Sequence, residues 1–162
     1  QYICMTSRVR RATNALPGGA AWLRLPTYLC AAAYLFTLLY LMLMRDVRLI
    51  RTLWVPAICF AAVTLLRPAI NRERPYDHFD AEPVGPFVRG KRKSMPSRHT
   101  ASAAAIAFAV IEVFPIWPVM LAMLVLCALV AALRVLSGQH YVSDVLVALV
   151  LSGAISAAGY WL

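Results

Sequence analysis

Residues 117–144 read WPVMLAMLVLCALVAALRVLSGQHYVSD. The stretch Trp117 to Leu133 carries no charge, Arg134 follows it directly, and Ser137-Gly138 supplies a turn. His140 and Asp144 then stand four residues apart before another uncharged run, Val145 to Leu162. A bilayer core of about 30 Å takes about 20 mostly apolar residues of helix to cross. These two runs therefore read as membrane spans, and the polar residues between them sit at a membrane–water interface.

The same pattern extends toward the amino terminus. Pro26 to Met44 has no charge, Thr52 to Leu66 is uncharged and is completed by Arg67 to Ile70, and Thr100 to Phe114 is interrupted only by Glu112. Pro115 and Pro118 mark a tight reversal between this run and the next. The expected architecture is an all-α, polytopic transmembrane helical bundle of about five spans. Residues 1–25, with Arg8, Arg10, Arg11 and Arg24 among apolar side chains, read as an N-terminal interfacial segment. We expect one membrane-embedded domain over 1–162, with a motif-bearing core at 67–144.

Composition agrees with this reading. Of 162 residues, 62% are hydrophobic, and the mean hydropathy is +0.70. The formal charge of +9 lies between and before apolar runs, which points to anionic lipid and phosphate esters as partners and away from nucleic acid. Cys30, Cys59 and Cys127 lie inside apolar stretches and Cys4 near the terminus, so neither a disulfide nor a zinc site is expected.

Five crossings place segments 1–25, 67–99 and 134–144 on one face. Every candidate chemical residue falls there. Arg67 and Arg74 are seven residues apart, about two helical turns if the helix persists through Pro68. Two guanidiniums so placed suit bidentate contact with one phosphate. Ser97 follows Pro96 at the start of the third span, where a helix N-terminus offers N–H groups and a positive dipole end to an anion. Arg98 adds charge at the same point, and His99 stands at the rim, where an imidazolium can protonate a leaving oxygen. Arg134 closes the fourth span. His140 and Asp144, at i and i+4, face the same way. The carboxylate can hold one ring N–H and leave the other nitrogen as a nucleophile.

His and Asp at this separation also suit a divalent ion, but convergence of Arg67, Arg74, Arg98 and Arg134 favours an anion. No metal and no cofactor is expected. His78 receives no role, and the run Lys91, Arg92, Lys93 reads as a headgroup-facing surface. Thirteen of the 16 Lys and Arg fall on the site face, and three, Arg45, Arg48 and Arg51, on the other. Several of the thirteen serve phosphate, so the positive-inside rule leaves orientation open.

The three segments resemble the motifs of the type 2 phosphatidic acid phosphatase superfamily, integral-membrane lipid phosphate phosphatases that share their site with vanadium haloperoxidases. The family's Lys, six residues, Arg-Pro reads here Arg67, six residues, Arg74-Pro75. Its Pro-Ser-Gly-His reads Pro96-Ser97-Arg98-His99, and its Ser-Arg, five residues, His, three residues, Asp reads Leu133-Arg134, His140, Asp144. The resemblance implies that His140 attacks phosphorus to form a phosphohistidine, that Asp144 orients it, and that His99 protonates the leaving group. Arg67, Arg74, Ser97 and Arg134 would hold the phosphoryl oxygens, and Arg98, where the family has Gly, a first or second phosphate. It further implies a lipid phosphate substrate such as phosphatidic acid, phosphatidylglycerol phosphate or undecaprenyl diphosphate, and a bacterial cell membrane with the site on its extracytoplasmic face. The rival readings are a phosphotransferase using the same pocket and a non-catalytic phospholipid-binding protein.

Overall fold

The computed structural model describes residues 2–14, 19–85, 87–90 and 92–161. Helix α1 spans Tyr2–Asn14, a 3-10 helix spans Gly19–Arg24, and α2 (Leu25–Leu43), α3 (Arg48–Ile70), α4 (Pro75–His78), α5 (Arg98–Val113), α6 (Trp117–Leu136) and α7 (Val142–Trp161) follow. Pro26 and Pro118 lie in the first turns of α2 and α6, where a missing N–H costs nothing. Asn71 ends α3 in the left-handed region at φ 45°, its N–H donating to the Arg67 carbonyl at 3.0 Å.

Four helical stretches are long and apolar enough to cross a membrane: 21–43, 48–78, Trp117–Leu136 and Val142–Trp161. The third expected span is α5, which has 16 residues and so rises only about 24 Å. It forms the centre of the bundle, packed against α2, α3, α6 and α7. Its Ala101, Ala103, Ala104, Ala105, Ala107 and Ala109 are all buried. Small side chains let neighbouring backbones approach closely, the usual basis of helix association in lipid. The large apolar side chains point the other way: Phe36, Trp54, Leu65 and Val150 are each more than three-fifths exposed. In water such a surface would drive aggregation, whereas against acyl chains it is matched. The protein is an integral-membrane helical bundle.

Two clusters fill the interior. Cys30, Ala104, Val110, Met123 and Val130 join α2, α5 and α6, and Cys59, Val63, Ala105 and Ala148 join α3, α5 and α7. Cys30, Cys59 and Cys127 are buried thiols and Cys4 an exposed one, none of them in a disulfide. Helix α1 packs against the 3-10 helix and α6. The 79–96 segment, in its described residues, meets the ends of α3, α6 and α7. It is tied down where Val84 N–H donates to the Ser137 carbonyl at 2.9 Å and Ser94 N–H to the Arg72 carbonyl at 3.0 Å.

Candidate active site

Asp144 organises this end of the bundle. It lies in the first turn of α7 and is completely buried, a placement that costs several kcal/mol for an unpaired carboxylate. Oδ1 accepts from Arg72 Nη1 at 2.8 Å, while Oδ2 accepts from the Ser94 hydroxyl and from the Tyr141 N–H at 3.0 Å. Its backbone carbonyl accepts from the Ser97 N–H at 3.0 Å, which ties the start of α5 to the start of α7. Two side chains, Arg72 and Ser94, and two backbone N–H groups, of Tyr141 and Ser97, thus converge on Asp144, all but Tyr141 from segments far away in sequence.

His140 is 3% exposed, with Nδ1 3.4 Å from Asp144 Oδ2. That is ion-pair range but longer than a hydrogen bond, and Nδ1 has no hydrogen-bond partner among the described residues. Burial pushes the imidazole pKa below its usual value; Asp144 opposes the shift, and the nearby Arg74 and Arg67 charges reinforce it. The shift favours the neutral ring. The His140 N–H donates to the Arg134 carbonyl at 3.2 Å, so the end of α6 sets the backbone that presents it.

The sequence-predicted arginines take distinct places. Arg67, in the last turn of α3, is buried and donates from Nη2 to the Lys93 carbonyl. Because α3 ends at Ile70, Arg74 does not share its helix. Arg74 sits in extended backbone before α4, its guanidinium 5.7 Å from the Tyr76 ring centroid and its buried Nε without a partner among the described residues. Arg134 donates to Gln139 Oε1 at 2.9 Å, and Gln139 Nε2 donates to the Val84 carbonyl at 3.2 Å. Ser97 stands at the N-cap position of α5, but its hydroxyl lies 3.0 Å from Thr100 Oγ1 and caps no backbone N–H.

Two cavities meet at His99. A cleft of about 350 Å³ is lined by Arg24, Thr27, Tyr28, Arg74, His99, Arg134 and Gln139. A groove of about 390 Å³ runs between α2, α3 and α5, lined mainly by apolar groups including Cys30, Ala31, Phe60, Ala103 and Ile106, and shares Thr27 and His99 with the cleft. Arg98 lines the groove rather than the cleft, its guanidinium 5.8 Å from the Phe60 ring centroid. Among the described residues no cluster of three or more His, Cys, Asp or Glu is placed to hold a metal ion. Lys91 lies outside the described residues, and His78, exposed, has Nδ1 3.7 Å from Glu73 Oε2.

Sequence reasoning passed over Arg72, Ser94, Gln139 and the cleft position of Arg24. A buried aspartate demands a counter-charge, which was the available signal for Arg72. The residue that meets the demand is set by the reversal at Asn71.

A membrane-embedded helical bundle carrying this constellation defines a polytopic membrane phosphatase. The chain belongs to the PAP2 superfamily, whose family model matches residues 48–162. Its fold is similar to the crystal structure of Aquifex aeolicus LpxE, with a TM-score of 0.74 over 96% of this chain and 94% of that one at 21% identity. It is also similar to the first transmembrane PAP2 type phosphatidylglycerolphosphate phosphatase from Bacillus subtilis, with a TM-score of 0.70 over 98% and 82% of the two chains at 21% identity. No curated protein sequence matches the chain.

Proposed function

We propose that this protein hydrolyses a lipid phosphate or diphosphate at the membrane interface through a phosphohistidine on His140, within a single domain and without a metal. The observation that carries this reading is the junction at His99, where a cleft walled by cations opens onto an apolar groove between spans. A phosphate group fits the first by charge, and a hydrocarbon tail fits the second by burial.

Each residue's part follows from its position. Asp144, fixed by Arg72, Ser94 and Tyr141, draws the Nδ1–H of His140 and leaves Nε2 to attack phosphorus. The P–O bond to the lipid breaks as the N–P bond forms, and His99 delivers a proton to the departing lipid oxygen. Water then attacks the phosphohistidine, gives its proton to His99 and releases phosphate, restoring His140. Arg67, Arg74, Arg134 and the α5 N-terminus at Ser97 stabilise the charge on the equatorial oxygens. Arg98, at the groove mouth, is suited to a substrate phosphate only as it passes His99. By likeness to its family, the site faces the extracytoplasmic side of a bacterial cell membrane.

Phosphate release from a panel of lipid phosphates in detergent, with and without EDTA, tests the reading. We expect turnover in EDTA and a loss of about a thousandfold or more in His140→Ala. Undiminished release by the variant sinks the mechanism, and release abolished by EDTA replaces it with a metal-dependent one.

A further inference from the structure

One peptide group outside the three motif segments is gripped from both sides. The bond from Lys93 to Ser94 gives its carbonyl to Arg67 Nη2 and its N–H to the Arg72 carbonyl, the latter at 3.0 Å. Arg67 lies in the last turn of α3 and Arg72 just past the reversal at Asn71, so the end of α3 holds both edges of one planar unit. Ser94 is fully buried, and its hydroxyl donates to Asp144 Oδ2. That oxygen is the one facing His140 Nδ1 at 3.4 Å. Arg72 closes the ring, because the same residue that takes the Ser94 N–H gives Nη1 to Asp144 Oδ1 at 2.8 Å. A carboxylate held by separate donors on its two oxygens cannot turn without losing one of them. The contacts therefore run from Arg67, through a rigid peptide and one hydroxyl, to the oxygen that orients the histidine.

We propose that Ser94 is a positioning residue for the reaction, and that Arg67 acts on the nucleophile through it, so that the grip of Arg67 on a phosphoryl group and the alignment of His140 are coupled. The inference rests on the phosphatase reading. A guanidinium carries five N–H donors in a planar fork. One of them holds the Lys93 carbonyl, which leaves others for a phosphoryl oxygen. A fork drawn toward phosphate carries that carbonyl with it, and the Ser94 hydroxyl moves Oδ2 relative to His140 Nδ1. The 3.4 Å separation, longer than a hydrogen bond, leaves room for this approach. A lysine at position 67 keeps the charge but is a point donor without the fork. Ser94 lines neither the cleft nor the groove, so its influence falls on turnover rather than on substrate binding.

The test measures kcat and KM in detergent, on whichever lipid phosphate of the panel the native protein turns over fastest, with thermal unfolding of each variant alongside. Loss of one hydrogen bond to a charged group should lower kcat by roughly 10- to 100-fold in Ser94→Ala, with KM within about threefold of native. Ser94→Cys keeps the shape with a weaker donor, so its kcat should fall between the two. In an Arg67→Lys background, Ser94→Ala should cost at least about threefold less than it does in the native protein, the mark of two residues acting as one unit. Should Ser94→Ala not fold, Ser94→Cys completes the same cycle. Native kcat in Ser94→Ala overturns the proposal, as does a loss confined to KM. An equal cost of the Ser94 substitution in both backgrounds overturns the coupling to Arg67. His140→Ala, run in parallel, reports separately: full activity there ends the phosphatase reading, whereas an inactive His140→Ala beside a native-like Ser94→Ala ends only this inference.

Discussion

The two ends of the bundle each carry an Arg–Asp pair, built in opposite ways. At the end away from the site, Asp46 and Arg48 are two residues apart. Arg48 Nη2 lies 2.8 Å from Asp46 Oδ2, and the Arg48 N–H donates to Oδ1 at 2.8 Å, with both side chains partly exposed. The pair fastens the first turn of α3. At the site end, Arg72 and Asp144 are 72 residues apart, the carboxylate is fully buried, and Ser94 and Tyr141 share it. Identical charges thus do local work in one place and join three segments in the other. Sequence distance and burial distinguish the pair that joins segments from the pair that fastens one turn.

The comparison predicts sharply unequal consequences. Asp144→Asn preserves shape but leaves His140 without its charged partner and Arg72 without its counter-ion. We expect kcat to fall by about a thousandfold or more, as removal of the orienting carboxylate does in Ser-His-Asp sites, with phosphate release as the assay. A residual activity within tenfold of native would show that the 3.4 Å approach of His140 to Asp144 is incidental. Arg72→Gln comes next. It leaves a buried carboxylate one charge short, so we expect a loss of about 3 kcal/mol in stability, read by thermal unfolding in detergent, and a fall in kcat that exceeds any rise in KM. Arg72→Lys should restore part of both, since the charge returns without the fork.

How much of this was readable beforehand follows from the range of the forces involved. The spans were legible because hydropathy is local, and the termini of α2 and α6 because Pro26 and Pro118 act on their own first turns. The i and i+4 spacing predicts a shared helix face for His140 and Asp144, but α7 begins at Val142, so His140 precedes the helix and its 3.4 Å approach to Asp144 comes from the bend before α7. Helix α5 was legible as apolar but not as central, because burial on all sides depends on which helices surround its alanines. Whether Arg74 shares a helix with Arg67 turns on whether the helix persists past Pro68; it ends at Ile70, and the left-handed turn at Asn71 separates the two and sends Arg72 to Asp144. The side of α5 that Arg98 takes, against Phe60, and the cleft position of Arg24 are tertiary outcomes with no local signature.

A smaller effect tests the electrostatics. The usual imidazole pKa is about 6.5, and burial with Arg74 and Arg67 nearby holds His140 below it. As the pH falls below 6.5, the unfolded chain gains a proton that the folded chain does not, so acid weakens the fold through this group. With His140 as the proposed nucleophile, its neutral ring in this window places the acid limb it contributes to kcat/KM below about pH 6.5. Arg74→Gln removes one depressing charge. The limb should move upward by less than about one pH unit, separable in a pH profile from the overall drop in kcat/KM. A limb that moves downward would contradict the sign of the Arg74 influence.

The smallest effect belongs to the other end. The Arg48 side chain holds the Asp46 carboxyl below the usual carboxylate range, with the Arg48 N–H adding to the shift. That pairing is present above the unfolded carboxylate value and is lost as the pH falls through the folded one. Asp46→Ala removes it without reaching the cleft, so kcat/KM should stay within about twofold of native, as expected for an exposed pair. If Asp46→Ala instead impaired turnover as Arg72→Gln does, the two ends would be coupled through α3, and the contrast between a local fastening and a joining carboxylate would fail. The measurement that decides is the ratio of the two variants' losses under one assay, since a change in expression or detergent extraction affects amounts of protein and leaves that ratio of specific activities unaltered.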